Sequence, residues 1–315
     1  MRLATPAIIP ALLTPFDDTG AVDREALRAH VTWLIDRGAD GMMPCGTTGE
    51  TALLSDDEVI AVVETVVAAA DGRVPVIAHV GRPGTQPTIA LGRRALDAGA
   101  AAVSAVVPYY HVLEPEQVLG HYRAIMGALG AERVLAYSIP SHSNNGLGAA
   151  DLATLAREGL AGFKDSTMSG ADHDAYVEAL RGAGRDDFGL LVGLGALLLQ
   201  SLRAGSAGAV LGIANLRPEL CRRVRDAFLD GRDEEAEALQ AQLAGEERRL
   251  MAFPELKRAT AERLRAEAGV AYGPLMRAPL GTAGSAVAQR AWAAPAYRWS
   301  GQSTVTGVNV RSQSE

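Results

Sequence analysis

Lys164 is one of only two lysines in a chain whose 30 basic residues are otherwise arginines. It directly follows the apolar run 159–163, and lysine is among the residue types least often buried. Arginine covers nearly every other cationic need of this chain, so a lysine here points to something guanidinium cannot do. An amine that loses its proton through desolvation attacks carbonyl carbon; a guanidinium does not. The alternative is a snorkelling side chain or one held in a salt bridge, with Asp165 as the obvious partner.

Two further segments offer matching chemistry. Gly46-Thr47-Thr48-Gly49-Glu50 combines two glycines, which permit a tight turn with exposed N–H groups, and two hydroxyls. Such a loop suits a small anion such as a carboxylate, although glycine-rich turns are also common as plain structure. Tyr137-Ser138-Ile139-Pro140 places a tyrosine at the end of another apolar run. A tyrosine there is either rim packing or a group that passes protons to and from a carbinolamine or a leaving hydroxyl. An amine, a phenol and a carboxylate loop together describe Schiff-base chemistry on a 2-oxo acid, with a carbon–carbon bond made or broken.

These residues need a scaffold that brings strand ends to one mouth. Short apolar runs at 8–13, 41–45, 75–79, 102–107, 134–138, 159–163, 190–192 and 207–211 alternate with helical patterns. The runs are almost continuously hydrophobic, as parallel strands covered on both faces are. Asp23 before 24–37 and Ser55 with Glu58 before Val59 mark helix starts, the second as a capping box. Thr85, Asp151 and Asp172 are read as the openings of three more helices. Eight strand–helix repeats with no G-x-G-x-x-G after the first run predict an α/β fold, a (β/α)8 TIM barrel rather than a doubly wound sheet. Catalytic groups then sit at the C-terminal strand ends.

Past Pro218 the pattern turns to pure helix at 218–230, 233–251 and 254–268. The expected organisation is a catalytic barrel over 1–216, a C-terminal helical extension over 217–292 and a disordered tail over 293–315. Charge runs such as Asp233-Glu234-Glu235 read as solvated faces.

The 315 residues carry a formal net charge of −7, which argues against a nucleic-acid partner. Cys45 and Cys221 are far apart in sequence and signal neither metal site nor disulfide, and no metal or organic cofactor is expected. The run Ala7 to Leu13 is broken by Pro10 and followed by no cleavage motif, and no run is long enough to span a membrane. A soluble, cytoplasmic protein is expected. His79, His111 and Cys45 are read as structural, and Asn144 and Asn145 as either a specificity loop or a polar turn.

The ordered set Thr14-Pro15-Phe16, Gly46 to Glu50, Pro108-Tyr109-Tyr110, Tyr137 to Pro140, Gly162-Phe163-Lys164-Asp165 and the segment 273–280 resembles the dihydrodipicolinate synthase / N-acetylneuraminate lyase family. The resemblance covers most of the chain. It implies that Lys164 forms the imine with pyruvate, that Tyr137 relays protons, and that Gly46, Thr47 and Thr48 hold the carboxylate. It also implies that Thr48 joins the hydroxyl relay, that Tyr110 enters a neighbouring subunit's site, and that Gly193 and Val210 line the pyruvate pocket. A homotetramer built as a dimer of dimers comes with it.

Two departures bear on the second substrate. Where dihydrodipicolinate synthases carry an arginine for the aldehyde carboxylate, this chain has Ser141-His142-Ser143. Histidine lacks the bidentate fork and is only partly charged near neutral pH; His142, with Ser143, Asn144 and Asn145, is the expected specificity loop for the second substrate. Val192-Gly193-Leu194-Gly195 also lacks the acidic residues common after that glycine. Both changes favour a lyase or aldolase acting on pyruvate and an aldehyde, with a 2-keto-3-deoxy acid as the joined form. A keto-deoxy sugar acid dehydratase, 4-hydroxy-tetrahydrodipicolinate synthase and a non-catalytic keto-acid binder are the alternatives.

Overall fold

The structure is a computed structural model that describes residues 5–185, 188–250 and 253–281. The expected tail at 293–315 lies outside the described residues. Seven parallel strands form one sheet: β1 Ala7–Pro10, β2 Ile77–His79, β3 Ala102–Val106, β4 Val134–Ser138, β5 Gly162–Asp165, β6 Gly189–Val192 and β7 Gly208–Leu211. Their order is β1-β7-β6-β5-β4-β3-β2.

The eighth stave is the segment expected as the second strand. It lies between β1 and β2 and makes single parallel bridges, Ala11 to Met43 and Met42 to Val76. The Leu12 and Ile77 amides donate to Met43 and Met42 carbonyls at 2.9 and 2.8 Å. The ladder stays short because Pro44 and Pro75 have no N–H to give and Cys45 turns the backbone to φ 60°. The barrel is thereby closed, as the repeat pattern predicts.

Helices fill the crossovers: α1 Arg24–Asp36, α2 Asp56–Ala70, α3 Thr85–Asp97, α4 Pro115–Leu129, α5 Pro140–Ser143, α6 Ala149–Arg157, α7 Gly170–Gly182 and α8 Leu198–Arg203. Asp23 caps α1, and both halves of the Ser55–Glu58 capping box are formed at α2. Three expected caps are displaced. Gly84 and Gly148 occupy the cap positions of α3 and α6, and Ser169 accepts from the Asp172 amide to cap α7. Thr85 begins its helix and uses its hydroxyl on His121 Nδ1 instead, at 2.9 Å.

The sixth apolar run is also shifted. Gly159, at φ 107°, ends α6, and the Leu160 amide bonds back to the Leu155 carbonyl. The first residues of the run therefore belong to the helix stop, and Lys164 lies within β5 rather than after it.

Side chains alternate along strands, which sorts them between two cores. Ile9, Ala11, Met43, Ile77, Leu135, Leu191 and Val210 pack inside the barrel. The larger cluster lies between sheet and helices and includes Phe163, which meets Tyr176 of α7 with ring centroids 4.8 Å apart. After the barrel come α9 Pro218–Leu229, α10 Asp233–Arg249 and α11 Phe253–Ala268. Among the described residues no helix is long and apolar enough to cross a membrane.

Candidate active site

Strand parity decides what faces the barrel axis. Leu135 packs in the barrel floor, so Tyr137 two residues on faces the same interior one layer higher. Tyr137 pairs in register with Lys164 on β5. Below Lys164, Gly162 lets the strands close up, since a Cβ there would stand 2.8 Å from the Gly189 carbonyl oxygen. Lys164 and Tyr137 are 4% and 2% exposed, and the Lys164 Nζ sits 4.1 Å from the Tyr137 ring centroid.

The same parity disposes of the salt-bridge alternative. Asp165 points to the helix side, where Oδ2 bonds His173 Nδ1 at 2.8 Å and Oδ1 accepts from the Thr167 amide and hydroxyl. Among the described residues Lys164 has no carboxylate partner.

The Gly46–Glu50 loop closes on itself, with the Gly49 and Thr51 amides donating to the Gly46 carbonyl at 3.0 and 3.2 Å. Gly49 has to be glycine: a Cβ would lie 2.8 Å from the Leu12 carbonyl oxygen. The turn also demands positive φ at Cys45 and Glu50. It is anchored from outside, where Glu50 Oε1 accepts from Lys257 Nζ at 2.8 Å and Oε2 from the Arg277 amide at 2.9 Å. The loop brings the Thr47 hydroxyl within 3.1 Å of the Tyr137 hydroxyl. The threonine touching Tyr137 is thus Thr47, whereas the resemblance implies Thr48 in the hydroxyl relay. Thr48 faces Gly212. Both line a cavity of about 100 Å³ with Lys164, Tyr137, Gly193 and Val210. Gly193 also has no room for a side chain, because a Cβ would collide with Ser166 Oγ.

Two candidate residues lie outside this chain's own cavity. His142, on α5, is exposed and outside the cavity wall, with Nδ1 2.9 Å from Ser141 Oγ; desolvation lowers its pKa. Tyr110 is 81% exposed on the loop after β3, with left-handed φ 81°, away from this chain's own cavity. Asn145 resolves in favour of the turn. It is buried, its Oδ1 accepts from the Leu113 amide, and its Nδ2 donates to the Pro108 and His111 carbonyls. It ties two loops together, with both Nδ2 hydrogens engaged.

His79 is buried behind Tyr137, edge-on with centroids 5.9 Å apart, and Nε2 accepts from the Val106 amide at 3.3 Å. Burial first, and the Lys164 charge second, push its pKa down to about 3, so it stays neutral. Burial pushes the Cys45 thiol up to about 12, which makes it an inert core group.

The far wall comes from segments the sequence reading treated as solvated extension. Glu247 and Leu250 at the end of α10, and Phe253 and Leu256 of α11, line the cavity. Glu247 lies in a Glu-Glu-Arg-Arg run, and only the packing of α10 over the mouth shows that one of these residues lines the cavity. Among the described residues no group of three His, Cys, Asp or Glu is placed to hold a metal ion.

A model of the dihydrodipicolinate synthetase family matches residues 4–292. A 4-hydroxy-tetrahydrodipicolinate synthase of Natronomonas pharaonis is 37% identical over 237 residues, 75% of this chain and 79% of the relative. An uncharacterized DapA-like lyase of Halobacterium salinarum is 36% identical over 74% of this chain and 75% of its own length. Among solved structures, the 4-hydroxy-tetrahydrodipicolinate synthase of Methylacidiphilum fumariolicum SolV superposes with a TM-score of 0.81 at 28% identity, over 90% of this chain and 92% of that one. YagE of E. coli K12, in complex with pyruvate, has the same fold, with a TM-score of 0.83 at 23% identity over 91% and 96% of the two chains. The chain belongs to the dihydrodipicolinate synthetase family, whose members are pyruvate-dependent Schiff-base lyases and synthases.

Proposed function

We propose that this protein is a class I lyase that joins pyruvate to an aldehyde, or cleaves the corresponding 4-hydroxy-2-oxo acid, through an imine on Lys164. The observation that carries the reading is a buried lysine without a carboxylate partner among the described residues, set against the hydroxyl pair of Tyr137 and Thr47.

Each group has a task that its position suits. The Lys164 amine adds to the ketone carbon of the 2-oxo acid (pyruvate in synthesis, the 4-hydroxy-2-oxo acid in cleavage), and Tyr137 delivers the proton with which the carbinolamine oxygen leaves as water. The protonated imine then withdraws electrons from C3. In cleavage, the C4 hydroxyl gives its proton to Tyr137, the C3–C4 bond breaks, and the aldehyde departs. The enamine takes a proton at C3, and water hydrolyses the imine to return pyruvate and the free amine. Among the described residues the Thr47 and Thr48 amides have no acceptor within the chain, which suits them to the pyruvate carboxylate. Gly46 gives the turn its shape, while Gly193 and Val210 hold the methyl side of the pocket close.

Lyase activity is preferred to 4-hydroxy-tetrahydrodipicolinate synthase activity because no arginine lines the cavity among the described residues. A dehydratase would use the same imine and expel water instead of an aldehyde, so product analysis separates the two. The assembly we propose is a cytoplasmic homotetramer, a dimer of dimers in which Tyr110 of one copy reaches its neighbour. Its support is the exposure of Tyr110 and Val112 on one loop.

Pyruvate followed by borohydride, then peptide mapping, tests the central step. A reduced pyruvate adduct is expected on Lys164 and absent from Lys164→Ala. An unmodified Lys164 in folded protein would overturn the reading.

A further inference from the structure

The cavity lining combines two kinds of surface. Thr47, Thr48, Tyr137 and Lys164 form the part assigned to pyruvate. The remaining lining is largely apolar, with Met168, Leu194, Leu250 and Phe253 among it, and Glu247 is the one carboxylate among the described lining residues.

Glu247 is held firmly. Its Oε1 and Oε2 accept from the Gly195 and Ala196 amides at 2.9 and 2.8 Å. Seven residues earlier on α10, Gln240 donates to the Gly195 carbonyl and accepts from the Leu199 amide, both at 2.9 Å. Two side chains on one helix face therefore clamp the 195–199 segment and fix where the carboxylate stands. Gly195 makes room for it, since a Cβ would sit 3.0 Å from Oε1. Burial raises the Glu247 pKa, against the two amides that lower it. A charge with little solvent around it is felt strongly by a neighbour.

Resting on the imine reading above, we propose that the second subsite takes uncharged aldehydes with an apolar substituent, and that Glu247 is the specificity-determining residue that turns away aldehydes carrying a carboxylate. An acidic aldehyde would bring a second negative charge beside Glu247 with no arginine among the described lining residues to answer it, and like charges so placed are strongly disfavoured. A polyhydroxylated aldehyde would surrender water for a wall of leucine and phenylalanine, leaving hydroxyls without partners. A hydrocarbon chain loses nothing on entering and covers apolar surface.

The test uses the full chain with pyruvate and three aldehydes: butanal, succinic semialdehyde and glyceraldehyde. Borohydride trapping of pyruvate on Lys164 is run alongside. With trapping intact, kcat/KM for butanal is expected to exceed that for succinic semialdehyde by about 100-fold and that for glyceraldehyde by about tenfold. Glu247→Gln keeps the shape and one acceptor, and should shift the ratio toward succinic semialdehyde by about tenfold. A loss of cap stability would lower all three rates together, so the ratio reads specificity alone, and the wild-type ratio stands independently of the variant. Intact trapping with succinic semialdehyde or glyceraldehyde preferred, with no turnover of butanal, or with an unchanged ratio in Glu247→Gln would overturn the proposal while leaving the imine in place. Failed trapping would overturn both.

Discussion

Lys164 on β5 and Lys257 on α11 share a residue type, a buried position and an aromatic ring about 4 Å from the ammonium: Tyr137 at 4.1 Å and Phe16 at 4.3 Å. They differ in what else is within reach. Lys257 Nζ meets Glu50 at 2.8 Å with both side chains fully buried, and burial still pulls its pKa below the ordinary lysine value against that attraction. Lys164 has a hydroxyl pair beyond its ring, a cavity beside it, and no carboxylate among the described residues. Burial is common to both lysines, so burial does not mark the nucleophile; the missing counter-charge does. The two regions are also connected. Glu50 ends the Gly46–Glu50 loop, so the paired lysine holds in place the threonines that face the unpaired one.

Exchanging each lysine for methionine gives the largest expected contrast. Lys164→Met removes the proposed nucleophile and should lower lyase turnover by at least about 10³-fold, with the denaturation midpoint little changed. Lys257→Met leaves Glu50 buried without its partner, and breaking a buried pair this way costs about 3–5 kcal/mol. It should therefore lower the midpoint sharply, and lose activity only in proportion to unfolding and to loop displacement. Lys164→Met destabilising as much as Lys257→Met would erase the distinction between the two sites.

Tyr137→Phe sharpens the comparison at smaller amplitude. The ring that Lys164 covers is kept, while the hydroxyl that meets Thr47 is lost. Removing a general acid–base group of this kind is expected to lower kcat by about 10²-fold, with a slower approach to the trapped pyruvate adduct but the same end point. Full turnover in Tyr137→Phe would leave the hydroxyl pair as packing and would make the two lysine environments more alike than proposed.

Much of this was legible from residue types and periodicity, and the parts that were not share a cause. The run-and-helix repeat predicts the barrel, since alternating runs bounded by caps are a local property of sequence. Lys164 stands out because a rare cation follows an apolar run. Its freedom from Asp165 depends on strand parity, and parity could not be assigned until Gly159 was seen to end α6 and shift β5. Which threonine meets Tyr137 depends on the turn at Cys45 and Glu50, where non-glycine residues adopt positive φ. Glu247 was hidden in a charge run because the face of α10 that covers the cavity is set by packing over the mouth. Asn145, equally polar in sequence, became a loop tie for the same reason. Local pattern carries the fold, and long-range contact decides which of several polar residues meets the cavity.

Each lysine region also contains a buried histidine, and these set the smallest expected effect, read from the acid side of the stability curve. His79 lies behind Tyr137, while His30 lies edge-on to Tyr272 with ring centroids 5.3 Å apart, its Nε2 3.2 Å from the Asn215 carbonyl oxygen. Desolvation, the largest cause at both, lowers His79 from 6.5 to about 3 and His30 to about 4. The folded pKa values lie below the unfolded value, so the stabilising contribution is complete above pH 6.5 and is lost as pH falls toward about 4. In that window the unfolded chain binds protons the folded chain refuses, and each histidine costs about 1.4 kcal/mol per pH unit. Denaturant midpoints between pH 7 and 5 should fall accordingly, and His30→Asn should reduce the slope by one histidine's share. Lys164→Met should change it only toward the acid end, because Lys164 is the second cause at His79 and no cause at His30. A slope unaltered by His30→Asn would mean that the folded chain takes up a proton near Tyr272, and the surroundings of His30 would then be less tightly sealed than the mouth that holds Lys164.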